Sequence, residues 1–261
     1  MGSVTTEGLV QTGRSAGVLT VTMSRPPVNA MDEVLVEALE AAVDAACADS
    51  SITVLHLRSA CRAFCAGADL ALMTQSIATP EGLERMLALV ARMQGLGAKL
   101  EAAPLVTLAE IGGAALGGGF ELALACDLRM AAQEAKLGLP EAGLGLLAAA
   151  GGTQRLTRLV GPGIAKRLIL GAETIDGAAA ERLGLVQWAV PRAGLAEAAQ
   201  ALAQRIAALP RQALAAGKQC IAAALDGTRD GFAEEIRHTR HLYQQSATRD
   251  LVAAFLARST R

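Results

Sequence analysis

Apolar residues recur over two short stretches, 9–11 and 18–23, around a segment that runs from Gly13 to Gly17. That pattern predicts a hairpin-like pair of strands. A proline-punctuated loop follows, Arg25-Pro26-Pro27-Val28-Asn29-Ala30. The period then changes. From Asp32, a residue suited to capping, the apolar residues Leu35, Leu39, Val43 and Ala46 share one face and predict a helix to about Ala48. The run 52–57 reads as a buried strand and 59–69 as a loop of short side chains. Pro80 opens a second helix to about Leu100. Strands are expected at 105–111, 128–132 and 136–139, with a glycine-rich turn at 112–119 and a short helix at 120–126. A second small-residue loop spans 143–152. Helices are expected at 153–160, 164–170 and 176–183, and a last strand at 186–190 is closed by Pro191. From Leu195 to Arg258 the pattern is helical, broken near Pro210 and at 227–231. The expected organisation is an α/β unit over 1–191 that carries the site, and a helical region over 192–261.

Composition narrows the function classes. The chain has 261 residues, 52% of them hydrophobic but only 2% aromatic. That length can bury a substantial core. One Trp, one Tyr and four Phe provide few surfaces on which bases could stack. Lys and Arg total 24 against 25 Asp and Glu, a net charge of −1, so no basic footprint exists for nucleic acid or an anionic membrane. The most apolar stretch, 104–126, holds Glu110 and Glu121, whose carboxylates would be costly in lipid. The first seventeen residues lack the positive-then-apolar order of a secretory signal. The opening Met1-Gly2-Ser3-Val4-Thr5-Thr6 matches the myristoylation pattern but is short enough to read as a plain start sequence. The five cysteines, Cys47, Cys61, Cys65, Cys126 and Cys220, are scattered, and His56, His238 and His241 are not at ligand spacing from them. The expectation is no metal site and reduced thiols in a cytoplasmic protein.

Candidate chemistry lies elsewhere. No GxSxG, Walker or HExxH sequence occurs. Residues 143–148 satisfy the letters of a dinucleotide fingerprint, but Pro140-Glu141 stands where its strand should be and the next acidic residue is Glu173. His56 reads as a core residue, His238 and His241 as surface or subunit-contact residues, and Trp188 and Tyr243 as packing. More informative is a carboxylate set in glycine, Gly117-Gly118-Gly119-Phe120-Glu121. Glycines let the backbone approach a ligand closely, and the first N–H groups of a following helix seek an anion. Cys65-Ala66-Gly67-Ala68-Asp69 is a second such loop after a strand. Gly138-Leu139-Pro140-Glu141 places another carboxylate in an apolar run. Glu121 and Glu141, with one helix and one strand between them, can converge from neighbouring loops. Each segment alone is also explained as a packing turn or an ordinary surface glutamate. Together they form an acid/base site in which one carboxylate is pushed towards a neutral pKa.

These segments resemble the crotonase family of enoyl-CoA hydratases and isomerases, along nearly the whole chain. Arg25-Pro26 with Asn29-Ala30-Met31 is similar to the family's first CoA-contacting loop, and 62–70 to its first oxyanion-hole motif. The second is matched by 115–122, with Cys126-Asp127 after it. Pro140-Glu141 and Gly151-Gly152-Thr153-Gln154-Arg155-Leu156 complete the set. The resemblance implies a spiral of ββα units followed by helices that build a homotrimer, commonly stacked into a hexamer. It implies an acyl-CoA substrate and no separate cofactor. It assigns the N–H groups of Ala68 and Gly118 to the thioester oxygen, the Ala66 carbonyl to the adenine amino group, and the Arg25 loop to the CoA phosphates. Asn29, Ala30, Gly67, Asp69, Leu70 and Gly117 fall within the same CoA-binding and substrate-binding segments. Glu121 and Glu141 match both catalytic glutamates of the hydratases.

The implied activity is addition of water across C2=C3 of a trans-2-enoyl-CoA. Within the same fold the alternatives are a Δ3,Δ2-enoyl-CoA isomerase or another acyl-CoA lyase. From another class comes a non-catalytic acyl-CoA-binding scaffold. The presence of both glutamates favours the hydratase. Leu147-Ala148-Ala149-Ala150 stands where hydratases carry a Pro-Gly-Ala run, Gly112 where a polar residue is common, and Glu110 where a small apolar one is usual. Ala149 replaces the Asp of dienoyl-CoA isomerases, which argues against that branch. The family's basic CoA contact near the end of the chain falls to Arg258 or Arg261.

Overall fold

The hydrophobic runs of the first half assemble into one large sheet. In this computed structural model, residues 4–5, 8–69, 73–74, 76 and 78–259 are described; Leu70, Arg261 and the 1–3 start sequence lie outside them. The sheet has the order β1-β2-β3-β4-β5-β7-β10. Strands β1 (Val4–Thr5), β2 (Val10–Ser15) and β3 (Val18–Met23) pair antiparallel. Strands β4 (Val54–Ser59), β5 (Val106–Ile111), β7 (Leu128–Ala132) and β10 (Trp188–Val190) continue it in parallel, with Val18 opposite Val54 and Val54 opposite Val106. The expected 13–17 loop contracts to a tight turn at Ala16-Gly17, both at positive φ, because Gly13, Arg14 and Ser15 extend the edge of β2.

Helices cover this sheet. Helix α1 (Glu33–Ala48) begins where its sequence requires, since Asp32 Oδ1 accepts from Leu35 N at 2.9 Å. Helix α2 (Pro80–Ala102) packs on α1 and on α3 (Gly118–Ala125), burying Leu89, Leu96 and Leu100 in the shared core. Helix α6 (Arg192–Ala207) packs on β3, β4, β5, β7 and β10 through Leu195, Ala199, Leu202, Ala203 and Ile206. Helices α7 (Arg211–Ala223), α8 (Gly231–Tyr243) and α9 (Ser246–Ser259) complete the chain. Lys218 Nζ ties α7 inward, donating to Asp127 at 2.9 Å and to the Leu100 carbonyl at 2.8 Å.

Differences from the sequence reading follow from chain length and glycine. The helices expected at 153–160 and 164–170 run on as α4 (Gly152–Leu170), bent where Gly161 takes a non-helical conformation ahead of Pro162. A second small sheet, β6 (Ala115–Leu116), β8 (Lys136–Gly138) and β9 (Thr174–Asp176), includes two strands too short for alternation to reveal. Helix α3 starts at Gly118, two residues before the expected position, so Gly118 occupies its first turn. The buried Arg129 guanidinium closes the other end of α3, donating to the Cys126 carbonyl at 2.6 Å, and also reaches the Leu185 carbonyl at 2.8 Å. Short α5 (Gly177–Arg182) leads towards β10.

Candidate active site

Two small-residue loops run side by side at the ends of β4 and β5. Cys65 and Ala115 form a parallel bridge, with Cys65 N–H donating to the Ala114 carbonyl and Leu116 N–H to the Cys65 carbonyl, each at 3.0 Å. Three residues on from Cys65, Ala68 is bridged by Met31. The Met31 N–H donates to the Gly67 carbonyl at 2.8 Å, and Asp69 N–H donates back to the Met31 carbonyl at 3.1 Å. In such a bridge the Ala68 N–H is turned away from Met31. Gly118 lies in the first turn of α3, whose N–H groups have no intrahelical acceptor. The two donors are close: an ideal Cβ on Gly118 would sit 3.8 Å from the Ala68 nitrogen. Among the described residues neither N–H has a hydrogen-bond acceptor. Two neighbouring free N–H groups, one of them at a helix start, form an oxyanion-binding arrangement.

The glycines have separable reasons. Gly117 has φ 52°, and a Cβ there would meet Glu141 Oε1 at 2.8 Å. Gly67, at φ 98°, passes close enough to the second loop for its Cβ to meet the Leu116 carbonyl at 3.0 Å. Gly119 is required by space; it and Gly118 are taken up in the Discussion.

Two carboxylates face this arrangement. Glu121, one turn into α3, is 4% exposed. Its Oε1 accepts from Gly152 N, the first residue of α4, at 2.7 Å. Burial pushes its carboxyl up to about 7; the Gly152 N–H opposes that and the charge on Glu141 adds to it. Glu141 sits on a 3-10 turn, Pro140–Leu144. Burial raises its proton affinity too, and its Oε2 is buried without a hydrogen-bond partner among the described residues. The arrangement can hold a carbonyl oxygen by two N–H groups and present two protonatable carboxylates nearby.

Other residues expected at the site take different positions. Asn29 is fully buried and acts as a staple: its side chain accepts from Arg25 N and donates to Ser59 Oγ at 2.7 Å and the Phe64 carbonyl at 2.9 Å. Ala30 contributes its carbonyl to Arg25 Nη1 at 2.9 Å. Arg25 is itself engaged by Asp32 at 2.8 Å and Asp69 at 3.2 Å. Ala66 is exposed and lines a cavity of about 650 Å³ together with Pro27, Arg62, Lys136 and Arg192. Glu110 lies on the sheet face towards α6, where its Oε2 is 2.9 Å from His56 Nε2 in a buried pair. The sequence reading missed Gly152 as a partner of Glu121, and Met31 and Met93, which pack beside Gly118. Met31 and Gly152 lay within quoted motifs, but a backbone N–H has no letter of its own, and Met93 has only its place on an apolar helix face.

The family model described as Enoyl-CoA hydratase/isomerase matches residues 13–260. The chain is 37% identical over 255 residues to a probable enoyl-CoA hydratase of Rhizobium meliloti (strain 1021), covering 96% of this chain and 95% of that one. It is 35% identical over 249 residues to the 2,3-dehydroadipyl-CoA hydratase of Escherichia coli (strain K12), covering 95% of each. The crystal structure of an enoyl-CoA hydratase from Geobacillus kaustophilus HTA426 superposes with a TM-score of 0.93 at 29% identity, covering 99% of this chain and 97% of that one.

Proposed function

The chain belongs to the enoyl-CoA hydratase/isomerase family and has the crotonase fold, and we propose that it adds water to a trans-2-enoyl-CoA to give the 3-hydroxyacyl-CoA. One observation carries this reading. Two carboxylates of raised proton affinity, the buried Glu121 and the half-buried Glu141, stand beside two neighbouring N–H groups. In the proposed reaction the thioester oxygen accepts from Ala68 and Gly118. Ionised Glu121, whose charge the Gly152 N–H supports, takes a proton from water as its oxygen bonds to C3. The C2=C3 electron pair moves towards the thioester oxygen, where the two N–H groups stabilise the enolate. Protonated Glu141 then delivers a proton to C2, the thioester carbonyl re-forms, and proton exchange resets both carboxyls. No cofactor beyond the CoA portion of the substrate takes part. The cavity beside Ala66, where Arg62, Lys136 and Arg192 outnumber Glu134 on the wall, has the charge to receive the phosphorylated end of CoA. Phe232, Ile236 and Tyr243 of α8 and Leu251 and Val252 of α9 are each more than half exposed, which supports a trimer or a pair of stacked trimers.

The test is direct. Purified protein mixed with crotonyl-CoA, and with longer trans-2-enoyl-CoAs, should remove the absorbance of the conjugated enoyl thioester. No loss with any of them overturns the hydratase reading. A gain of that absorbance from a 3-enoyl-CoA, without hydration, would establish the isomerase instead. The pH dependence follows from Glu121. Its proton must be off for it to act as base, so kcat/KM is expected to fall as pH drops through about 7. A profile flat across that value would remove Glu121 from this role.

A further inference from the structure

We propose that Arg25 is a positioning residue for the Ala68 oxyanion donor, acting through Asp69, and is not a contact for the phosphates of the substrate. This assignment rests on the proposed acyl-CoA chemistry for its catalytic consequence, and on the hydrogen-bond geometry for the clamp itself.

The guanidinium is already committed in three directions. Nη1 donates to the Ala30 carbonyl at 2.9 Å, and Nη2 to Asp32 Oδ2 at 2.8 Å and Asp69 Oδ2 at 3.2 Å. One cation between two carboxylates is a net negative cluster. A phosphate arriving there would be repelled by the two Asp side chains that already hold Arg25. The side chain is 23% exposed, which leaves little of the guanidinium edge for a ligand.

Both carboxylates are anchored to the frame. Asp32 caps α1 through its other oxygen, which accepts from Leu35 N at 2.9 Å. Asp69 directly follows Ala68, and its N–H is bonded to the Met31 carbonyl. Arg25 therefore joins the start of α1 to the residue beside the oxyanion donor, across the same Met31–Ala68 bridge that orients that donor. Asn29 fixes the other end of the loop by accepting from Arg25 N at 2.8 Å. An oxyanion donor works only when held close to its productive position, so a clamp on Asp69 is felt at the Ala68 N–H.

The experiment compares Arg25→Met, Arg25→Lys, Asp69→Asn and the double variant Arg25→Met/Asp69→Asn in crotonyl-CoA hydration, with free CoA as a competitive inhibitor. Arg25→Met should lower kcat by about 100-fold, the scale of a small misplacement at a reacting centre. The inhibition constant for free CoA should stay within about twofold, because no phosphate contact has been lost. Arg25→Lys should recover part of the loss in kcat. The double variant should be no more than about twofold worse than Arg25→Met, since both changes break one linkage. If CoA binding weakens about tenfold while kcat holds, Arg25 is a phosphate contact and the proposal fails. If neither changes, it fails as well. Should Arg25→Met not fold, Asp69→Asn is read by the same two constants. Should the parent protein turn over no enoyl-CoA, the hydratase reading falls and hydrogen exchange decides the clamp. Amides of 64–69 should then exchange faster in Arg25→Lys and Asp69→Asn than in the parent, with 106–111 unchanged. Unchanged exchange at 64–69 overturns it.

Discussion

Glu141→Gln should lower kcat for enoyl-CoA hydration by about 1000-fold, within the range for loss of a positioned acid or base, without weakening the fold. The amide keeps the shape of the carboxyl but cannot give a proton to C2. Glu121→Gln should cost as much, by losing the group that takes the proton from water. Stability should move the other way. Both carboxyls bind protons more tightly folded than unfolded, because burial penalises their charge. For Glu121, between its ordinary value of 4.5 and about 7, the folded chain holds more protons than the unfolded one. Its contribution is therefore fully present below 4.5 and is lost as pH rises to about 7. The burial penalty above that value is at most about 3 kcal/mol for Glu121. Glutamine is never charged and escapes it, so Glu121→Gln should melt higher than the parent at pH values above the window and equally at pH values below it. The same direction holds for Glu141→Gln. Thermal melts at both ends of the window, alongside initial rates, check this. A Glu141→Gln protein with parental kcat would remove Glu141 from the chemistry. Lowered melting at high pH would mean that its carboxylate is a structural anion.

The parts of this site that were legible in the sequence are those with side chains out of place by composition. Glu121 and Glu141 stand out as carboxylates in apolar runs, and the glycines at 117–119 stand out as a turn that must admit another backbone. Helix α1 was legible because Asp32 and the spacing of Leu35, Leu39 and Val43 are local signals. The strands of the large sheet other than β1 were legible as short apolar runs. Three things were not. In the small sheet β8 was expected, but β6 and β9 have two and three residues, and their pairing depends on partners rather than on pattern. The support for Glu121 comes from a main-chain N–H 31 residues away. The partner of Arg25 lies 44 residues along the chain. An arginine in a substrate loop suggests a phosphate, and only the folded neighbourhood reveals that two aspartates already hold it. The aromatic-poor composition gains a meaning from the same contacts. The two loops touch through main chain, which requires short side chains between them.

That contact makes Gly119→Ala a change expected to damage both stability and activity. An ideal Cβ at 119 would overlap the Cys65 carbonyl oxygen and lie 2.7 Å from Cys65 Cβ. The atoms in the way are backbone, bonded on both sides to the Ala114–Leu116 segment, so no side-chain rotation relieves them. The φ of Gly119 is not in the left-handed region, so the obstacle is space alone. The loop that carries Ala68 would have to move off the first turn of α3, separating the two oxyanion donors. The expected result is a stability loss of about 3 kcal/mol, the upper end for overpacking. Activity should fall by about 1000-fold, the upper range for losing one donor of an oxyanion hole. Gly118→Ala separates the two effects. Its Cβ would meet Met93 Cε at 2.6 Å, the free end of a flexible side chain that can swing aside, and would lie 3.8 Å from the Ala68 nitrogen. It should melt close to the parent and still lose most of its turnover, because the new methyl stands at the edge of the hole. Melting curves and initial rates on both variants distinguish the cases. If Gly119→Ala melts and turns over like the parent, the two loops are not packed as described. If Gly118→Ala keeps parental kcat, the thioester oxygen is bound elsewhere, because a methyl beside Ala68 leaves no room for it between these two donors.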